Sequence, residues 1–204
     1  MGKTIGLGSA SAGLLLLLSA ACAGTRLANA HRPVLVEIKT SEGTITVSLD
    51  AERAPVTSAN FLRYVRSGHY DGGLFHRTVT PDNQPGQSIK IAVIQASVNP
   101  ALTERDFPPI PLERTSRTGI KHLDGTISMA RAEPDTATSD FFICIGDQPS
   151  LDFGGMRNPD GQGFAAFGRV VSGMEVVRRI QRSPAAGQSL EPPIAIESIR
   201  VASE

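Results

Sequence analysis

The chain has 204 residues, of which 40% are apolar and 20% charged, an ordinary composition for one soluble globular domain with an appendage. Its 20 basic and 20 acidic residues give a formal charge of zero, and no basic cluster is interleaved with aromatic residues, which argues against a nucleic-acid-binding protein. The two cysteines, Cys22 and Cys144, and the four scattered histidines support neither a disulfide scaffold nor a metal site.

The first 30 residues are typical of an export signal. Lys3 provides a positive start, residues 14–18 form an apolar run, and small residues follow at 19–21. The run is too short, and too often interrupted by Gly and Ser, for a secure membrane-spanning helix. We therefore assign 1–30 to a signal segment and 31–204 to the folded domain, and predict a periplasmic or otherwise exported protein.

Three sites of signal processing fit the sequence. Residues 21–23 and 28–30 both have the small-x-small pattern of an ordinary signal peptidase site. Residues 18–22 are similar to a bacterial lipobox, which would make Cys22 the lipidated first residue of a membrane-anchored lipoprotein facing the periplasm. Ser19 stands where such boxes usually have Leu, so simple cleavage is the favoured hypothesis and lipidation the alternative.

The first elements of the domain are a pair of strands and a helix. Residues 34–40 and 43–49 alternate between apolar and polar side chains, and the short connection between them suits a tight hairpin. A helix is predicted over 55–66, with Pro55 at the first helical position and Gly68 just beyond the end.

Six further strands and one further helix are expected downstream. The strands are predicted at 74–80, 89–97, 126–131, 141–145, 165–171 and 194–201, and the helix at 174–181. Eight strands with two helices predict a mainly β fold, a closed eight-stranded antiparallel β-barrel capped by two short α-helices. Closure removes exposed strand edges, and the helices cover the ends.

Several sequence blocks of this domain resemble the cyclophilin family. In chain order the blocks are 60–62, 70–77, 125–131, 139–143, 151–152 and 167–170. Any one block is a weak match, whereas their order and spacing along residues 34–201 are specific. The resemblance implies an eight-stranded barrel and an enzyme that isomerises peptide bonds preceding proline.

The chemistry of that reaction explains which side chains it needs. Resonance opposes rotation about the C–N bond with a barrier of about 20 kcal/mol. At the twisted transition state the proline nitrogen carries a usable lone pair, so a donor directed at it stabilises the twisted form more than either planar form. The reaction requires no nucleophile, proton transfer or metal, and we expect no cofactor.

By resemblance, Arg77 is the catalytic donor, since its guanidinium is always charged and planar. The resemblance also implies an apolar seat for the proline ring and a set of contacts to the peptide. These substrate-binding residues are Phe142 at the pocket floor, Leu151 at a wall, Phe164, Val93, Gln95, which orients the arginine, and the strand edge formed by Ala130, Arg131 and Ala132.

Three neighbours of these residues are assigned to structure rather than function. His76 precedes the arginine, but the reaction moves no proton. Phe141 should point away from Phe142 into the core, because side chains alternate along a strand. Cys144 lies in the same apolar run and is interpreted as a buried, inert thiol.

The chain departs from the family's pattern at several positions. Segment 78–94 is longer than usual, and Ala92 and Val93 replace a larger Phe-Met pair, so we expect a smaller pocket floor. Asp140 replaces a common glutamine, and Ser150 stands where drug-sensitive members have tryptophan. The arginine donor and the phenylalanine floor are retained, so we expect activity.

The expected partners are proline-containing polypeptides, in particular unfolded exported proteins, bound by a monomer, with a membrane anchor only if Cys22 is lipidated. Two alternative functions compete with this one. The first is a cyclophilin-fold binding or chaperone module with little catalysis, against which the retained Arg77 argues. The second is an unrelated closed barrel, such as a lipocalin-like protein, whose ligand lies inside; a pocket outside the barrel would exclude it.

Overall fold

The computed structural model describes residues 1–4 and 33–203, and every helix and strand in it lies in the unit Arg32–Glu204. Apart from its first four positions, the predicted export signal, with its alternative cleavage sites and Cys22, lies outside the described residues. Among the described residues, no helix is both long enough and apolar enough to cross a bilayer.

Residues 33–203 form nine β-strands and three α-helices. The strands are β1 Val34–Thr40, β2 Gly43–Leu49, β3 Leu74–Val79, β4 Val93–Ser97, β5 Thr126–Met129, β6 Phe141–Cys144, β7 Ala165–Ser172, β8 Ala185–Ala186 and β9 Ser189–Ser203. The helices are α1 Pro55–Arg66, α2 Thr115–Thr118 and α3 Met174–Gln181. Short 3₁₀ turns occur at Pro81–Asn83, Pro100–Arg105 and Pro149–Leu151.

Eight of the strands close into a barrel. Hydrogen bonding runs in the order β1-β2-β7-β5-β6-β4-β3-β9, and β9 pairs back with β1, each pair being antiparallel. The two-residue strand β8 forms a hairpin with the start of β9. The predicted closed eight-stranded antiparallel barrel is therefore confirmed, and closure removes the exposed edges that an open sheet would have.

The largest differences from the predicted elements concern α2, β4 and β9, while most other strand ends shift by one or two residues. Helices α1 and α3 have the predicted bounds, but the four residues of α2 are too few to give a periodic pattern. The strand expected at 89–97 begins only at Val93, because residues 80–92 form a loop. The last strand begins at Ser189 rather than at 194, where it pairs first with β8.

Aromatic side chains fill the interior of the barrel and join it to α1. The ring centroid of Phe61 lies 5.5 Å from that of Tyr70, 5.5 Å from that of Phe141 and 5.3 Å from that of Phe167. All four side chains are fully buried. Because side chains occupy the space in which a lipocalin-like barrel would hold its ligand, that alternative is not supported.

A distant carboxylate caps helix α1. Ala54, which precedes the helix, has no side chain that accepts a hydrogen bond from the first turn. Glu113 supplies this function instead, since it accepts from the backbone N–H groups of Val56 at 3.1 Å and Thr57 at 2.7 Å and from the Thr57 hydroxyl at 2.6 Å. A carboxylate at this position satisfies unpaired donors and complements the helix dipole, which fixes the connection before α2 against α1.

Candidate active site

A second apolar cluster lies on the outer face of the barrel, separate from the core. It contains the buried residues Val79, Ile91, Val93, Phe142, Cys144 and Leu151, with Ala130 and Phe164 packed against them. Side chains alternate along β6, so Phe141 points into the core whereas Phe142 belongs to the outer cluster. The predicted opposite orientations of these two rings are confirmed.

A β-bulge places Arg77 on this same outer face. Phe75 pairs with Ala96 and lies in the core, and simple alternation would put Arg77 there as well. The register shifts at His76, so that Arg77 pairs instead with Gln95. The pairing of β3 with β9 is also irregular between Phe75 and Arg77, but there the extra residues lie on β9. An extra residue in one strand redirects the side chains after it, and here it turns Arg77 out of the core.

The outer cluster and Arg77 line a surface cavity of about 220 Å³. Its lining residues are Arg77, Ile91, Val93, Gln95, Ala130, Arg131, Phe142, Leu151, Arg157, Asn158 and Phe164. Eight of the nine predicted site residues are in this set, and Ala132 is not. Ile91, Arg157 and Asn158 were not predicted to line it, because they lie in irregular segments where neither alternation nor a family block marks them.

Neutral amide groups hold the guanidinium of Arg77 on both sides. Nη1 donates to Gln95 Oε1 at 3.0 Å, while Nε and Nη2 donate to Gln188 Oε1 at 2.9 and 2.6 Å. Burial lowers the pKa of Arg77, and the nearby charge of Arg157 lowers it further, although a guanidinium stays charged at neutral pH. Arg77 therefore presents a fixed cation that has no carboxylate partner among the described residues.

Asp140 orients Gln95. Gln95 Nε2 donates to Asp140 Oδ2 at 3.0 Å, which leaves the amide oxygen of Gln95 facing Arg77. Burial raises the pKa of Asp140 above that of an ordinary carboxyl group, while the hydrogen bond from Gln95 acts in the opposite direction. This is the geometry that the predicted orienting role of Gln95 requires.

Gln188 lies in the turn between β8 and β9, and no motif marks it in the sequence. Its Nε2 donates to the backbone carbonyl of Asn83 at 3.1 Å. Asn83 in turn donates from Nδ2 to the carbonyl oxygens of Thr78 and Gly187, both at 3.0 Å. The long segment between β3 and β4 therefore supports the residue that holds Arg77.

The buried side chain of Gln84 folds the rest of this segment back on itself. Its Nε2 donates to the carbonyl oxygens of Thr80 at 2.7 Å and Ile91 at 2.8 Å, and its Oε1 accepts from the Ile91 N–H at 3.2 Å. Ile91 is thereby held at the cavity, where it adds apolar surface beside Val93. The expectation of a reduced pocket floor left out this contribution, because the position of Ile91 depends on the path of the loop.

Phe142 is supported by two other rings. Phe164 meets it edge-on with centroids 5.4 Å apart, and the ring of His122 stacks on it at 6.0 Å with an interplanar angle of 14°. His122 is itself fixed, since Nδ1 lies 2.8 Å from Asp152 Oδ1 and Nε2 lies 3.0 Å from the Ser128 hydroxyl. Burial acts to raise the pKa of Asp152, but the hydrogen bonds from His122 outweigh it and hold the pKa below its ordinary value.

The predicted peptide-binding edge at residues 130–132 lies only partly along the cavity. Strand β5 ends before residue 130, and Ala132 is exposed outside the cavity because the chain has already left the strand. Arg131 lines the cavity, but its guanidinium donates to the Gly163 carbonyl at 2.9 and 2.7 Å and pairs with Asp160 at 2.8 Å. Its side chain is only 1% exposed, so it ties a neighbouring loop to the barrel.

The remaining chemically distinctive side chains lie off the cavity. Cys144 is a free thiol, and burial raises its pKa, which agrees with the prediction of a buried, inert residue. His76 is half-buried and is not a lining residue. In the described part of the chain, no three His, Cys, Asp or Glu side chains are grouped as a metal site would need.

Comparison with known proteins agrees with this fold and site. A family model described as cyclophilin type peptidyl-prolyl cis-trans isomerase/CLD matches residues 35–201. The chain is 37% identical over 174 residues to peptidyl-prolyl cis-trans isomerase A of Dickeya dadantii, covering 81% of this chain and 83% of the relative. It is 33% identical over 156 residues to peptidyl-prolyl cis-trans isomerase B of Escherichia coli, covering 76% of this chain and 88% of the relative.

Solved structures show the same fold. The crystal structure of a cyclophilin type peptidyl-prolyl cis-trans isomerase from Cryptosporidium parvum, obtained in the presence of the dipeptide Ala-Pro, matches with a TM-score of 0.67. The two sequences are 23% identical, and the match covers 83% of this chain and 99% of that one. On the family match and the bacterial relatives together, the chain belongs to the cyclophilin-type peptidyl-prolyl cis–trans isomerase family.

Proposed function

We propose that this protein isomerises peptide bonds preceding proline and that Arg77 is its catalytic residue. The observation that carries the proposal is the position of Arg77, which is fixed by Gln95 and Gln188 and lines the same cavity as Phe142. The proline ring lies against the apolar surface of Phe142, and the peptide bond before it lies within reach of the guanidinium.

The catalytic effect comes from differential binding. The planar cis and trans peptides keep the proline nitrogen conjugated, so its lone pair is not free to accept a hydrogen bond. Twisting breaks the conjugation, and the guanidinium of Arg77 then donates to that nitrogen. Because Gln95 and Gln188 already orient the donor, little reorganisation is needed during the reaction. No covalent bond forms or breaks, and no proton is transferred.

The exchange rate of a single X–Pro bond tests this activity. Exchange NMR measures cis–trans interconversion in a short peptide with one X–Pro bond, with the protein added at a small fraction of the peptide concentration. We expect exchange cross-peaks between the cis and trans signals to appear on the sub-second timescale, far faster than the uncatalysed tens of seconds. Binding of the peptide without faster exchange would favour the alternative, a binding or chaperone module with little catalysis.

We also propose that the clients are unfolded exported proteins and that the enzyme acts in the periplasm or another exported compartment. The support is the sequence of the first 30 residues, with Lys3 followed by an apolar run and small residues. Mass spectrometry of the native protein tests this: we expect loss of at least the first 21 residues. A lipid-modified amino terminus at Cys22 would replace the soluble form by the membrane-anchored one, and an intact terminus on a cytosolic protein would contradict export.

A further inference from the structure

Arg157 lines the same cavity as Arg77 but reaches it from a different part of the chain. It lies in the loop between the 3₁₀ turn Pro149–Leu151 and β7, where its backbone N–H donates to the Ser150 carbonyl at 3.1 Å. Its Nη1 donates to the Ile89 carbonyl at 2.7 Å, which draws the half-buried side chain across to the long segment between β3 and β4. The position of the guanidinium is therefore defined by both segments.

The charges that line the cavity are not balanced. Of the described residues that line it, three carry guanidinium groups and none carries a carboxylate. The charge of Arg131 is matched by Asp160, with two N···O distances of 2.8 and 3.1 Å. Arg77 and Arg157 donate only to neutral amide and carbonyl oxygens within the described part of the chain. Two positive charges thus share a partly buried space in which residues 33–203 supply no counter-charge.

The donors of Arg157 are also incompletely used. Among the described residues, only Nη1 has hydrogen-bond partners, the Ile89 carbonyl and, at the longer distance of 3.5 Å, Gln87 Oε1. Nε and Nη2 form the edge of a guanidinium that accommodates a carboxylate with two parallel hydrogen bonds. By contrast, the Nε–Nη2 edge of Arg77 is already occupied by Gln188, and only single hydrogens on Nη1 and Nη2 remain for the proline nitrogen. Arg157 is therefore the residue whose guanidinium edge can receive a carboxylate.

We propose that Arg157 forms an anion-recognition subsite, so that the preferred substrates are peptides with an aspartate or glutamate side chain next to the proline. A bound carboxylate pairs with Arg157 and relieves its repulsion with Arg77, which leaves Arg77 free to act on the peptide bond. Burial lowers the pKa of both arginines, which indicates that their charges are incompletely solvated and that pairing with an anion is favoured. This inference rests on the proposed isomerase function and names its substrate class.

Peptide series that differ by one side chain test the subsite. Exchange NMR gives kcat/KM for X–Pro peptides with Glu, Gln or Lys immediately before the proline, and for a second series with these residues immediately after it. In one of the two series, we expect kcat/KM to be about tenfold higher for the Glu peptide than for the Gln peptide, and to be lowest for the Lys peptide. The preference should shrink in 1 M salt, because screening weakens the attraction between charges.

Variants of Arg157 assign the preference to this residue. In Arg157→Gln, the ratio of kcat/KM for the Glu peptide to that for the Gln peptide should fall to about one. Arg157→Glu should favour the Lys peptide, whereas Arg157→Lys should keep most of the preference for the Glu peptide. Lys39→Gln is the matched control, since it removes one positive charge from an exposed position on β1, on the opposite side of the barrel from β4 and β6. A general loss of structure would lower all rates together and leave the ratio unchanged.

The outcomes separate this inference from the function on which it rests. Equal kcat/KM for Glu and Gln peptides in both series, or a preference that persists in Arg157→Gln, would overturn the subsite while leaving an isomerase. A parent protein that isomerises none of the peptides would overturn the proposed function and the subsite with it. If Arg157→Gln fails to fold, Arg157→Lys and Arg157→Glu still assign the preference, and a parent ratio of one would overturn the subsite without any variant.

Discussion

Arg77 and Gln188 are joined by two hydrogen bonds that converge on a single amide oxygen, from Nε at 2.9 Å and from Nη2 at 2.6 Å. Although 111 positions separate them in the chain, β3 pairs directly with β9 at Arg77 and Ser189, which brings the turn containing Gln188 beside the arginine. The amide of Gln188 therefore limits rotation of the guanidinium about its long side chain. We assign Gln188 a positioning role toward Arg77.

Replacing Gln188 by alanine should lower turnover about tenfold while KM changes little, since an arginine with fewer fixed orientations stabilises the twisted bond less well. Stability should fall by only about 1–2 kcal/mol, the contribution of hydrogen bonds to a charged group. Gln181→Ala is the control, because its amide contacts the Val79 carbonyl and not Arg77. Equal turnover in Gln188→Ala and the parent, measured by exchange NMR, would remove Gln188 from the mechanism.

Phe142→Ala should affect binding, rate and stability together. The ring is 5% exposed and packs against Phe164 and His122, so its removal leaves a void and takes away the seat of the proline ring. We expect a loss of about 3 kcal/mol in the free energy of unfolding and weaker binding of X–Pro peptides. Phe153→Ala removes a ring that is 45% exposed and off the cavity, and it should change neither property appreciably. Denaturant unfolding and NMR titration measure the two effects.

Asp140→Asn should make the protein more stable at neutral pH. Burial raises the pKa of Asp140 in the folded state, so ionising this carboxyl group opposes folding once the pH exceeds the unfolded pKa of about 3.9. This cost is absent below the unfolded pKa, grows as the pH rises from there through the folded pKa, and then levels off. An asparagine oxygen still accepts the hydrogen bond from Gln95 without this cost. Thermal unfolding from pH 3 to pH 8 should therefore show a stabilisation that grows with pH; a stabilisation that shrinks with rising pH would contradict the account.

Cyclosporin-type macrocycles should inhibit this protein weakly. Ser150 stands where sensitive members of the family have tryptophan, and it directly precedes the cavity residue Leu151. The serine lacks the contact area and the N–H donor of an indole ring, a loss on the order of a hundredfold in affinity. Ser150→Trp should recover much of that affinity in an inhibition assay. Nanomolar inhibition of the parent would show that Ser150 does not occupy the tryptophan position.

Alternation was sufficient to predict the barrel, and the family resemblance selected most of the residues that line the cavity. The apolar–polar pattern identified the strands that form the ring, and the family blocks selected Arg77 and Phe142. Alternation alone misplaces Arg77, however, because it puts the arginine on the same face as Phe75. Only the bulge at His76, which depends on pairing with two neighbouring strands, brings it to the cavity.

The residues that the sequence could not identify share a physical cause. Gln188, Ile91 and Arg157 lie outside periodic strands and helices, and their positions follow from hydrogen bonds to residues distant in the chain. The path of a loop depends on tertiary contacts of this kind, which a local pattern does not contain. Ala132 lies beyond the end of β5 and does not line the cavity, so its predicted contact with the peptide stays a prediction.

If Arg77 stabilises the twisted peptide bond, Arg77→Ala is the decisive variant, with turnover, peptide affinity and thermal unfolding measured on one preparation. The account predicts a folded protein that binds an X–Pro peptide nearly as well as the parent but isomerises it about a hundredfold more slowly, equivalent to about 3 kcal/mol of lost transition-state stabilisation. Arg77→Lys keeps the charge without the planar guanidinium, so its isomerisation rate should lie between those of Arg77→Ala and the parent. A folded Arg77→Ala variant that isomerises the peptide as fast as the parent would contradict the account.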